Sequence, residues 1–147
     1  MLSFEKLIFM KWYLIPVILF WSIRAYTQVV FPTDTLSAPS DFENVYSRKM
    51  ADDSLQTSFV IWIKKNIAEH YHEFHTENIY ILEGKAEMTI NGEKRVVKKG
   101  DYLNIPKGTR HAVRKVLSRK PLKVISIQSP RFDGTDRIII NPPHADF

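Results

Sequence analysis

Downstream of residue 53 the chain places apolar and polar residues in short bursts rather than at helical spacing. "TSFVIWI" is a β-branched and aromatic run, long enough for one strand and too short for a helix. "NIYILEGKAEMTI" reads as a strand, a break near Glu83–Gly84, and a second strand with Ala86, Met88 and Ile90 on one face. Asn91–Gly92 follows directly and predicts a type I′ hairpin turn, which needs positive φ at both central residues. "EKRVVKKGD" is the return strand; "YLNIP", "HAVRKV", "LKVISIQ" and "DRIII" follow, each bounded by Gly, Pro or charged turns. About eight short strands with no amphipathic helix predict an all-β sandwich or barrel. Phe59, Ile61, Ile63, Met88 and Ile90 are assigned to its core rather than to a pocket.

The first 53 residues break this pattern. In "MLSFEKLIFMKWYLIPVILFWSIRAYTQ" an uncharged run from Trp12 to Ile23 lies between Lys11 and Arg24. As a helix it reaches about 18 Å, against about 30 Å of bilayer hydrocarbon. It is too short to span comfortably and suits the apolar part of a secretory signal. Residues 1–27 are therefore expected to be a signal peptide, cleaved near Ala25 to Gln28, leaving an exported (periplasmic or extracellular) protein with no stable membrane anchor. Residues 28–53, with two prolines and many small polar residues, read as a linker or extended arm, and 54–147 as the folded domain. The arm could exchange between two subunits as an edge strand.

Bulk composition narrows the partners. A chain of 147 residues, 44% apolar and 25% charged, has room for one domain with one core. The net charge is +5; three bases and one acid leave with the first 27 residues, taking it to +3. That mild excess sits on solvated strand faces such as "EKRVVKKG" and gives no nucleic-acid footprint. No cysteine is present, so disulfides and thiolate metal sites are excluded.

Candidate chemistry concentrates in "EHYHEFHTENIYILEGKAEM", residues 69–88. His70 and His72, two apart on an extended chain, point to one face with side chains about 6.5 to 7 Å apart. A turn can bring the Glu77 carboxylate to the same ion; spacing favours it over Glu69, Glu73 and Glu83. His111, entering the strand "HAVRKV" after a Pro-Gly turn, is placed to supply a fourth donor. His75 has the wrong offset and reads as a loop residue off the ligand face. "HEFH" is not a zincin helix, whose two histidines stand four apart. Tyr71, Arg110 and Arg114 should face away, and His144 should be exposed in the tail. Lys115 shares parity with His111 and points inward unless the register changes.

These two stretches resemble the two motifs of the cupin superfamily. His70, His72, Glu77 and Gly84 match the first, and Gly100, Pro106, Gly108 and His111 match the second. The pattern's terminal Asn is Lys115 here, a departure that bears on local packing rather than on metal binding. The resemblance covers about residues 55 to 130 and implies a jelly-roll β-barrel, a small single-domain cupin of the phosphomannose isomerase-like type, forming a homodimer. It also implies a metal held by His70, His72, Glu77 and His111. Three imidazoles and a carboxylate suit divalent Fe, Mn, Ni, Co, Cu or Zn rather than Ca or Mg. In octahedral coordination two positions stay open for water, dioxygen or a bidentate substrate.

The function expected is a metal-dependent cupin acting on a small oxygenated molecule by isomerase, lyase or dioxygenase chemistry, with Glu77 able to act as a base if it leaves the ion. The alternative is a non-catalytic cupin that binds or senses a small ligand.

Overall fold

The computed structural model describes residues 30–140. The expected signal segment and His144 lie outside them. No helix among the described residues is long and apolar enough to cross a membrane.

Ten strands run in chain order: β1 Val45–Asp52, β2 Thr57–Ile63, β3 Ile67–Tyr71, β4 Thr76–Glu83, β5 Lys85–Ile90, β6 Glu93–Lys98, β7 Tyr102–Ile105, β8 His111–Val116, β9 Leu122–Ser129 and β10 Ile138–Ile139. They form two antiparallel five-stranded sheets, ordered β1-β2-β9-β4-β7 and β10-β3-β8-β5-β6. The all-β expectation holds. The expected strands are joined by β3, which carries the first histidines, and by β1.

Strand β1 lies in the stretch read as a linker or extended arm. It pairs with β2 of the same chain from Val45↔Ile63 to Asp52↔Thr57, with a bulge between Lys49 and Ala51. At a sheet edge its residues are exposed or half-buried, so "VYSRKMAD" lacks the apolar alternation that marks the inner strands.

Elsewhere the alternation does its usual job. On β4, Glu77, Ile79 and Ile81 are buried and Tyr80 is exposed; on β7, Leu103 and Ile105 are buried between exposed Tyr102 and Asn104. Ile79, Ile81, Met88, Ile105, Leu122 and Val124 bring both sheets together in one core. On β9, Lys123 is buried although its neighbours Leu122 and Val124 take the core side. Its ammonium donates to the carbonyls of Thr33 (2.5 Å) and Leu36 (2.6 Å) and lies 5.3 Å from the Trp62 ring, so the segment before β1 covers the outer face.

Two turns depend on positive φ. Asn91 (φ 48°) and Gly92 (φ 81°) make the β5–β6 hairpin, as Asn-Gly predicts. Gly84 (φ 92°) joins β4 to β5, and a Cβ there would stand 2.9 Å from Ser118 Oγ and 3.0 Å from Leu122 Cα. At Gly100 (φ 94°) a Cβ would meet open space. Gly84→Ala is expected to destabilise the fold by about 1–3 kcal/mol from backbone strain alone, with the steric clash added. Urea midpoints should therefore fall further for Gly84→Ala than for Gly100→Ala.

Candidate metal centre

The site forms where the ends of β3 and β8 meet β4 of the opposite sheet. His70 on β3 pairs by register with His111, the first residue of β8, and their ring centroids are 4.2 Å apart. His72 lies one residue past the end of β3, and its carbonyl accepts the Gly108 N–H at 2.6 Å. Glu77 is the second residue of β4, held on the inner face between Ile105 and Gln128. All four side chains are buried, and one donor atom from each lies within 4.8 Å of all the others. The sequence-assigned set His70, His72, Glu77 and His111 thus converges, with three histidines carried by one sheet and the carboxylate by the other.

Hydrogen bonding sets the tautomers. Nδ1 of His70 lies 2.8 Å from the Ala68 carbonyl and Nδ1 of His111 lies 3.0 Å from the Thr109 carbonyl; Nδ1 of His72 meets the Asp136 carbonyl. A carbonyl only accepts, so each Nδ1 carries the proton and each neutral ring presents a bare Nε2. Nε2 of His72 is buried with no hydrogen-bond partner among the described residues. Two donors at right angles on an ion with bonds of about 2.1 Å stand about 3.0 Å apart. Nε2 of His111 is 3.1 Å from Oε2 of Glu77, and Nε2 of His72 is 3.7 Å from it. The donor set fits a divalent transition-metal ion.

Charge follows from the same contacts. Burial alone would raise the Glu77 carboxyl, but His111, His72 and the Ser126 hydroxyl, which donates to Oε1, hold it well below the usual carboxylate range. Burial, reinforced by nearby His111, pushes His70 down to about 3. Burial opposes charge on His72 as well, yet Glu77 and the Asp136 carbonyl raise it above its ordinary value. A folded-state pKa below the ordinary 6.5 means that the unfolded chain binds the extra proton first. Metal-free protein should therefore lose His70's share of stability as pH falls from about 6.5 to about 3. Melting temperatures across that range should show a shallower fall for His70→Gln.

A support that spacing does not reveal comes from far down the chain. The Asp136 carboxylate accepts backbone N–H groups from Glu73 (2.8 Å), Phe74 (2.9 Å) and His75 (3.2 Å), and it also meets the His75 ring. Its own carbonyl takes His72 Nδ1. His75 does lie in the loop and outside the donor group, but it is buried, with Nε2 2.9 Å from the Arg131 carbonyl. Phe132 packs edge-on against His72 and His75, at 5.6 and 5.2 Å. "GTDRIII" gives no sign of any of this, since Asp133 and Asp136 look alike in sequence.

Lys115 is exposed. Glu87 pairs with Lys115 but Met88 with Val113, so the irregularity between them changes the register and turns Lys115 out. Arg110 and Arg114 are exposed as expected, and Tyr71 is half-buried.

A cavity of about 190 Å³ opens beside the donors. Phe59, Ile61, Ile63 and Met88 line it, which corrects their assignment to packing alone; Ile90 packs against the core. Ile61, Ile63 and Met88 serve both roles because the inner faces of the two sheets bound the cavity as well as the core.

Residues 59–128 match the family model described as a cupin domain. The chain contains a cupin domain, built as a jelly roll from two antiparallel sheets. The phosphomannose isomerase-like type is not confirmed by these matches. An uncharacterized protein of Aquifex aeolicus is 37% identical over 82 residues, 56% of this chain and 66% of that protein. Quercetin 2,3-dioxygenase of Bacillus subtilis is 44% identical over 48 residues, 33% of this chain and only 14% of that enzyme. The match therefore spans under two thirds of either relative. Among solved structures, KdgF from Halomonas sp. shares the fold with a TM-score of 0.61 and 24% identity, over 73% of this chain and 97% of that one.

Proposed function

We propose that this protein is a metal-dependent cupin enzyme acting on a small oxygenated molecule, with His70, His72, Glu77 and His111 holding a divalent transition-metal ion. The observation that carries the reading is the buried convergence of three imidazoles and one carboxylate, each imidazole oriented through Nδ1. A bound ion would supply Lewis acidity or a place for dioxygen beside the substrate. The chain's own residues orient and enclose. Ser126 fixes one oxygen of Glu77, leaving Oε2 as the carboxylate atom able to take a proton if it is released from the ion. The apolar wall excludes water, and about 190 Å³ is below the roughly 300–1,000 Å³ of drug-sized sites, so the substrate is small.

Similarity to quercetin 2,3-dioxygenase over 48 residues makes dioxygenation the first reaction to test. Full-length protein loaded with Fe(II) in air and given small diols, keto acids and sugars should consume oxygen. Product formation without oxygen uptake would point to isomerase or lyase action. Tight binding without turnover of any compound would overturn the enzyme reading in favour of a ligand-binding module.

Export and dimerisation belong to the same proposal. Sequencing the N-terminus of protein from the native host should give a start near Ala25 to Gln28, and light scattering should give twice the chain mass.

A further inference from the structure

Outside the four donors, the cavity wall is almost wholly apolar, with Ser47, Gln128 and Arg137 as the other polar residues lining it. Ser47 is exposed on the edge strand β1. Of the other two, Gln128 is buried and Arg137 lines the cavity although the residue as a whole is exposed.

Gln128 pairs by register with Glu77, so the two side chains share the inner face of the sheet. It is 6% exposed, and its Oε1 is buried with no hydrogen-bond partner among the described residues. A buried amide oxygen left this way has lost water and gained nothing. It is an acceptor facing a cavity.

The backbone at Arg137 is held from both sides. Asp136 before it ties down the His72 loop, and Ile138 after it pairs with Tyr71 of β3. Its side chain lines the cavity, yet no carboxylate among the described residues forms an ion pair with it. Burial lowers its pKa, with Glu77 opposing, so the guanidinium is partly withdrawn from water and within the field of the site even though much of the residue is accessible. With a divalent ion bound, the Glu77 carboxylate and Arg137 would leave the cavity two positive charges in excess, which favours an anionic ligand.

We propose that Arg137 and Gln128 form a recognition pair for a small hydroxy carboxylate. The guanidinium takes the carboxylate in its two-pronged donor geometry, and Gln128 Oε1 accepts the hydroxyl proton in a hydrogen bond. This deepens the reading above by naming its substrate class. The volume of about 190 Å³ limits the ligand to a short carbon skeleton.

The test uses the full chain loaded with redox-inert Zn(II), titrated calorimetrically with lactate, propionate and 1,2-propanediol, which respectively carry both groups, the carboxylate alone and hydroxyls alone. Lactate should bind at least tenfold more tightly than either analogue. Arg137→Met should lose tenfold or more for lactate and propionate while keeping its zinc content. Arg137→Lys, which keeps the charge but not the fork, should lose less. Gln128→Leu should bring lactate down to the level of propionate and leave propionate unchanged. Unchanged lactate affinity in folded Arg137→Met and Gln128→Leu, diol binding equal to lactate, or no lactate binding by the wild type would each overturn the pair. Elemental analysis separates this outcome from the metal reading. If the wild type retains no zinc, that reading fails, and the same variants titrated metal-free still decide whether the pair recognises the acid.

Discussion

Replacing His72 or His111 with alanine is expected to leave the purified protein essentially free of metal, whereas the wild type is expected to retain close to one equivalent by elemental analysis. Each substitution removes one of four donors that lie within 4.8 Å of one another. Loss of a residue that merely supports a ligand lowers metal affinity about 10- to 100-fold; loss of a ligand should exceed that. His72→Ala would also leave the Asp136 carbonyl without its imidazole, and His111→Ala would take from Glu77 its 3.1 Å neighbour. Full metal retention in both variants would show that the four residues are not the ligand set.

The second large effect belongs to Asp136. Asp136→Ala takes the acceptor from three backbone N–H groups and the His75 ring, in a loop where Glu73 and Phe74 are exposed and His75 is buried. At about 1–3 kcal/mol for each orphaned buried donor, here the His75 N–H and ring, the loss should be about 3 kcal/mol. In a domain of this size that lowers the melting temperature by about 10 °C or more. Metal affinity should fall with it, because the His72 loop loses its anchor. Asp136→Asn separates charge from shape. Burial would raise the Asp136 carboxyl, but the His75 contact and the Phe74 and Glu73 N–H groups hold it down to about 2, against an ordinary 3.8. A depressed folded-state value gives stability that is complete above the unfolded value and lost as pH falls through the folded one. The wild type's advantage over Asp136→Asn should therefore be full above about pH 4 and fade toward pH 2. A difference that does not change across that window would mean that the carboxylate's charge has no part in holding the loop.

How far sequence reasoning reached depends on how local each feature is. His70, His72 and Glu77 lie within eight residues, on β3, just past it and at the start of β4, so strand parity and spacing suffice to gather them. His111 required the second motif, because the register that sets it opposite His70 is a tertiary fact. Asp136 reaches the His72 loop from 64 residues away, through hydrogen bonds that leave no periodic trace. Strand β1 was hidden for the opposite reason, since an exposed edge imposes almost no pattern. Lys115 shows parity failing at an irregularity, where one change of register reverses every side chain beyond it. Ser126 and Gln128, by contrast, were within reach. The alternation that sends Leu122 and Val124 inward sends these two inward as well, and two polar residues on a core face are a signal of a site.

Because the carboxylate donor belongs to one sheet and the imidazole donors to the other, any ion seated among them rivets the two halves of the sandwich together. Thermal endurance then becomes a property of the medium as much as of the polypeptide, rising by RT ln(1 + [M]/Kd) with free ion concentration. A chelator would act on this protein as a mild denaturant, prying apart layers that the apolar interior alone would hold less firmly.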